Sequence, residues 1–317
     1  MGKAPIFIAL LTGCSLAWAQ NTAPVSVPAR MVVTLGHHYG SAPPALNKDD
    51  LIVQHEHAPL AITNLTPLRG EEAGLEIFVL VDHCSTCEAI SKFEELRKFI
   101  AAQPPTTAIG IAYIKDGWLE IAQNPTSDRE RAIQALSPPS GSKPSSPFRA
   151  LADLIRQWKP DSCRHAVLMI SNGIDPAAIE GEQDASAEGA IEAAQSAGVA
   201  IYAMYHPSAD YATADYSKIY SGQVLLAHVA VETGGEAYFL GFGPLPSLAP
   251  FLADIADHFA NQYLLEFLAN PPGGTGGLEH ITVSTKRADL ELMTPARVWI
   301  AGTAGAQKRI EIPAKRR

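Results

Sequence analysis

The chain has 317 residues, 47% of them hydrophobic and 18% charged, with a formal net charge of −9. That length supports one large domain or two modest ones with a sizeable core. A mildly acidic chain without a Lys/Arg block carries no electrostatic footprint for nucleic acid.

At the N-terminus Lys3 precedes an apolar run over residues 6–11, and the small residues Ala17 and Ala19 follow. This reads as a secretory signal peptide over residues 1–19, cleaved before Gln20. A second reading competes: Leu11-Thr12-Gly13-Cys14 is similar to a bacterial lipobox, in which a lipidated Cys14 becomes the mature N-terminus. Either reading exports the protein, to the medium, the periplasm or the cell envelope. Membrane contact follows only from lipidation at Cys14. The apolar run is too short for a permanent span, and no other segment reaches roughly 18 consecutive apolar residues. Of the four cysteines, the signal region takes Cys14. Cys84, Cys87 and Cys163 remain, giving one disulfide and one free thiol in an oxidising compartment.

Residues 20–30 are rich in Pro, Ser and Ala and read as a linker. Over residues 31–70 short apolar runs are broken by Gly, Pro, Asn and Asp, which predicts two or three β-strands. From residue 71 to 261 strand and helix alternate. LEIFVLV (75–81), AIGIAYI (108–114) and HAVLMI (165–170) are nearly unbroken apolar runs, as in parallel strands buried on both faces. A short strand is expected at 118–121 and others at 199–204 and 237–240. Helical spacing marks residues 87–101, 148–158, 188–197, 222–233 and 248–260, and a helix is expected to begin at Ser127. Gly198 is a candidate C-cap. The product is an α/β fold: a doubly wound, mostly parallel sheet with helices on both faces. Residues 262–303 return to β texture. They are expected to pair with the N-terminal β segment into a small β-sandwich flanking the α/β unit. Residues 304–317 read as a short, solvated basic tail.

Two motifs carry a resemblance. The strand 75–81 runs into Asp82-His83-Cys84-Ser85-Thr86, and HAVLMI runs into Ser171-Asn172-Gly173-Ile174-Asp175. These resemble the first and third motifs of the von Willebrand factor A family. The segments LNKDDLIVQHEHAPLAITNLTP, VAVETGGEAYF and NQYLLEFLANP resemble a bacterial subgroup of that family described from acidobacteria. The resemblance covers roughly residues 31–300 and implies a non-enzymatic binding module. It also implies a metal-ion-dependent adhesion site at the carboxyl edge of the sheet, where hard oxygen ligands hold Mg²⁺. The pattern is degenerate here. Asp82 stands, but Cys84 and Thr86 occupy the two serine positions and Asn172 replaces the aspartate. Only Ser145 and Ser146 lie near the second loop. A neutral thiol suits a hard cation poorly, and Asp→Asn removes a charge. Asp82 and Thr86 remain the only candidate Mg²⁺ ligands. The expectation is no cofactor, with Asp82 hydrogen-bonding loop backbone and the edge (Asp82, Cys84, Thr86, Ser145, Asn172, Asp175) binding without metal.

Cys84-x-x-Cys87 at a helix start is also the arrangement that lowers thiol pKa in dithiol oxidoreductases. A structural disulfide is the expectation, with Cys84–Cys163 or Cys87–Cys163 left open. His55 and His57, two apart on a predicted strand, would share a face and reach one ion. Two exposed strand histidines are the plainer reading, and the adjacent His37-His38 invites the same metal question. Zn²⁺ between His83, Cys84 and Cys87 lacks a clear fourth ligand. Residues 205–220, with Tyr211, Tyr216 and Tyr220, read as a loop, either a recognition surface or irregular packing over the sheet edge. No phosphate loop or nucleophile elbow occurs. The sequence therefore reads as an exported module for a protein ligand. An envelope thiol–disulfide oxidoreductase using Cys84 and Cys87 is the alternative, and a purely structural envelope component a third.

Overall fold

The computed structural model describes residues 26–36, 45–70, 74–82, 90–137, 146–158, 164–175, 181–207, 216–239 and 247–303. All four cysteines, His37, His38, His83, Thr86, Ser145 and Tyr211 lie outside these residues, as do the signal and lipobox segments and the basic tail.

The central sheet has six strands: β5 (Leu75–Asp82), β6 (Thr107–Lys115), β7 (Trp118–Thr126), β8 (Arg164–Ser171), β9 (Val199–Tyr205) and β10 (Ala237–Tyr238). Their order is β10-β9-β8-β5-β6-β7, parallel throughout except for the antiparallel edge strand β7. Helices α1 (Ile90–Ala102), α2 (Arg129–Gln134) and α6 (Ala249–Ala260) cover one face. The other is covered by α3 (Pro147–Gln157), α4 (Glu182–Ala197) and α5 (Tyr216–Glu232).

Period-2 alternation divides each apolar run between two cores. Ile77, Val79 and Val81 pack with Phe93, Leu96, Ile255 and Phe259, whereas Phe78 and Leu80 pack with Phe148, Leu151, Ile191 and Leu226. Each such fully buried side chain contributes ~1.5–3 kcal/mol relative to exposure. Gly198 closes α4 in the left-handed conformation at φ 68°, the predicted C-cap.

The remaining strands form two antiparallel sheets. One is β13-β1-β11-β4, from Glu291–Met293, Val27–Gly36, Gln262–Ala269 and Ala61–Pro67. The other is β14-β12-β2-β3, from Arg297–Ile300, Gly277–Thr285, Leu51–His55 and Ala58–Pro59. Met31, Val33, Leu51, Val53, Leu265, Phe267, Ile281 and Val298 fill the space between them, giving the expected sandwich of chain-terminal segments. Polar side chains tie it to the α/β unit. Arg164 Nη1 donates to Phe259 O at 2.9 Å and to Gln262 Oε1 at 2.6 Å. Arg297 Nε donates to Gln195 Oε1 at 2.8 Å, and within the sandwich Gln262 Nε2 donates to Thr34 Oγ1 at 3.0 Å.

Several expected boundaries move. β1 already begins at Val27, within the stretch read as linker, because Val27, Ala29 and Met31 point into the sandwich. β7 runs to Thr126 instead of stopping at Ile121, and its half-buried Leu119, Ile121 and Gln123 alternate with exposed neighbours, as on an edge strand. Helix α4 starts at Glu182 and α5 at Tyr216, so the end of the tyrosine-rich stretch is helical. Among the described residues no helix is long and apolar enough to cross a membrane.

Candidate functional site at the carboxyl edge of the sheet

From β5 the chain steps outward one way through β6 and β7, and from β8 the other way through β9 and β10. The crevice of an open α/β sheet lies where that direction reverses, beyond the strands' carboxyl ends. Asp82 is the last residue of β5 and Ser171 the last of β8, and the two strands are hydrogen-bonded neighbours. Both side chains are buried. Ser171 Oγ donates to Asp82 Oδ2 at 2.7 Å and accepts from Gly173 N–H at 3.0 Å. Asp82 thus meets a neighbouring hydroxyl; the loop backbone that sequence suggested as its partner, residues 83–89, lies outside the described residues. Its buried carboxylate needs such donors to offset desolvation.

The two motif segments of the sequence, one ending β5 and one leaving β8, therefore meet at the switch point of a doubly wound sheet. This is the doubly wound architecture that the resemblance to the von Willebrand factor A family implies. No family model matches the chain, and no curated protein is similar to it. Solved structures similar to it include an aerotolerance-related membrane protein from Bacteroides fragilis, at 15% identity and a TM-score of 0.42, over 59% of this chain and 98% of that one. The PilB minor pilin from Streptococcus sanguinis is similar at 11% identity and a TM-score of 0.43, over 59% of this chain. This chain spans only 61% of the pilin. A von Willebrand factor type A protein from Catenulispora acidiphila is similar at 9% identity and a TM-score of 0.44, over 88% of this chain and 75% of that one. At these identities the likeness concerns the fold alone.

The loop after β8 is held by its own polar groups. Asn172 Oδ1 accepts from Ile174 N–H at 2.9 Å, an Asx turn that commits its oxygen to the loop. From the first turn of α4, Gln183 Nε2 donates to Gly173 O at 2.7 Å, while its Oε1 accepts from Asp175 N–H at 3.1 Å. Asp175 is half-buried in this loop. Sequence reading missed Gln183, because nothing in a helix start marks a side chain that folds back ten residues.

Gly173 (φ +69°) lies against Gly222 of α5. A Cβ on either residue would strike backbone of the other segment: the Gly222 carbonyl from Gly173, the Asn172 carbonyl from Gly222. This close approach fixes α5 beside the edge. The outward face of α5 carries Tyr216, Tyr220 and Val224 at helical i, i+4, i+8 spacing, 72%, 68% and 45% exposed.

The predicted His55/His57 pair is not brought together on one strand face. Glu56 and His57 form the two-residue turn between β2 and β3, both at positive φ (48° and 68°), so the period-2 argument ends at His55. His55 Nε2 instead faces Glu279 Oε2 at 3.3 Å, across the sheet.

Proposed function

We propose that the chain is an exported, non-catalytic interaction module that holds a protein ligand at this edge without a metal. The observation carrying the reading is the exposed Tyr216–Tyr220–Val224 stripe, locked beside the Ser171–Asp175 loop by the Gly173–Gly222 contact. Tyrosine gives large contact area at low entropy cost and is enriched in interface cores, and a contiguous exposed apolar stripe marks an interaction site. The metal-free part rests on side-chain chemistry: an amide at Asn172, turned back on its own loop, supplies no anionic ligand. Export rests on the signal-like N-terminus, free or lipidated at Cys14. Intact mass after native processing tests it: a mature chain starting at Gln20 or at lipidated Cys14 is expected, and retained Met1 in the cytoplasm refutes it.

Binding is tested with a photo-crosslinking residue in place of Tyr220 or Val224, expressed in the native host. Trp118, 66% exposed on β7 at the far edge of the sheet, is the control for indiscriminate stickiness. A discrete protein adduct from positions 220 and 224, absent from 118 and persisting in chelator, is expected. Equal adducts at all three positions, or dependence on Mg²⁺, overturns the reading.

A further inference from the structure

A second polar cluster lies well away from that edge. Glu236 immediately precedes the edge strand β10, and Asp254 and His258 sit one turn apart on α6, hence on the same helix face. One donor atom from each of the three lies within 4.8 Å of the others. Edge strand β10 is three strands from β5, roughly 14 Å at the ordinary strand spacing.

The spacing of the donors is informative. His258 Nε2 is 3.7 Å from Glu236 Oε2 and 3.9 Å from Asp254 Oδ2, too far in both cases for a hydrogen bond. Ligand atoms around a tetrahedral ion bound at ~2.0–2.1 Å stand ~3.3–3.4 Å apart, so side-chain movements of at most about 1.5 Å close a first coordination shell. The support around the donors is in place. Tyr238 Oη donates to Asp254 Oδ2 at 2.7 Å, orienting that carboxylate as outer hydrogen bonds orient metal ligands. His258 is buried, with its ring 6.0 Å from that of Tyr202. Glu236 is 44% exposed and Asp254 26%, leaving an entry path from solvent.

The electrostatics ask for a cation. Glu236 and Asp254 bring two carboxylates to one imidazole. A bound dication would neutralise this concentration of carboxylates.

We propose that Glu236, Asp254 and His258 form a binding site for a divalent transition-metal ion, clipping edge strand β10 to α6. Two carboxylates with one imidazole suit borderline ions such as Zn²⁺ or Co²⁺ better than Mg²⁺. Three protein ligands leave room for water. This site is independent of the interaction edge and does not rest on the proposed function.

The test uses Co²⁺ as a spectroscopic probe and Zn²⁺ in calorimetry on the full mature chain. One equivalent of Co²⁺ giving visible d–d bands without the thiolate charge-transfer band of cysteine ligation is expected. Because Glu236 is half-exposed, Glu236→Gln keeps the fold and weakens binding by about tenfold or more, whereas Glu94→Gln, at an exposed carboxylate of α1, leaves it unchanged. Asp254→Asn is the second variant, with the same expected loss. Thiolate bands, affinity unchanged from the parent in either ligand variant, or loss of binding in Glu94→Gln each overturns the assignment, as does absence of binding to the unsubstituted protein.

Discussion

Replacing Gly222 by Ala probes the contact that sets the interaction edge. A Cβ there would collide with the Asn172 carbonyl and lie 2.9 Å from Ile174 Cγ1. The first obstacle is backbone, fixed by the Asx turn and by Gln183, so α5 has to move off the loop or the loop has to bend. Overpacking of this kind costs ~1–3 kcal/mol, and a rigid obstacle puts it near the upper end. Alanine's better helix propensity returns about 1 kcal/mol. The net expectation is a loss of about 2 kcal/mol. Gly189 provides the control: it too lies within a helix, but a Cβ there meets nothing within 4 Å. Gly189→Ala should therefore stabilise by ~0.4–1 kcal/mol, mainly by restricting the unfolded chain. Urea unfolding of the two variants beside the parent, compared at unchanged slope, reads the difference. Midpoints shifting in opposite directions are expected. A Gly222→Ala protein as stable as Gly189→Ala would show that α5 and the loop after β8 do not touch as described, and the geometry of the proposed edge would fall with it.

Two further substitutions concern α6, on the opposite face of the sheet. Glu95 of α1 caps α6 from outside that helix: its Oε2 accepts from Ser247 Oγ at 3.1 Å, from Ala249 N–H at 2.9 Å and from Leu248 N–H. Glu95→Ala should cost ~1–2 kcal/mol and speed amide exchange in the first turn of α6; unchanged exchange there would exclude the capping role. For Glu236 the pH dependence has a definite sign. A carboxyl raised in the folded state favours folding below its ordinary range, and that contribution is lost as pH rises through the folded value. In chelator Glu236→Gln should therefore be more stable than the parent at neutral pH, the gap closing as pH falls below the ordinary glutamate range. A gap that widens in acid contradicts the electrostatic account.

The alternating apolar runs were legible because burial on both faces of a parallel sheet leaves no polar position along the strand. LEIFVLV, AIGIAYI and HAVLMI became β5, β6 and β8, with Asp82 and Ser171 at their carboxyl ends. Short-range chemistry was legible too, such as the Gly198 cap closing α4. The two motifs that resemble the von Willebrand factor A family pointed to the segments ending β5 and leaving β8, which the sheet topology brings side by side.

Local pattern failed where partners set the outcome. His55-Glu56-His57 reads as strand by alternation, yet a two-residue turn falls inside it, because Ala58 and Pro59 pair back onto β2. The helical start at Tyr216 lies in a polar, tyrosine-rich stretch whose periodicity becomes visible only once Ile219 and Gly222 have a sheet face to pack on.

The sequence by itself determined which segments were strands and helices, that the sheet was doubly wound, and that chain-terminal β segments would pair, since hydrophobic period and turn residues are local properties. Only the tertiary structure decided that β1 pairs with β11 across more than 200 residues, that Gly173 meets Gly222, and that Glu236 stands beside Asp254 and His258. The i, i+4 spacing of Asp254 and His258 was readable along the chain, but Glu236 joins them through the docking of an edge strand under a helix. Contacts between distant segments follow from the mutual packing of whole elements, and no local pattern encodes that packing.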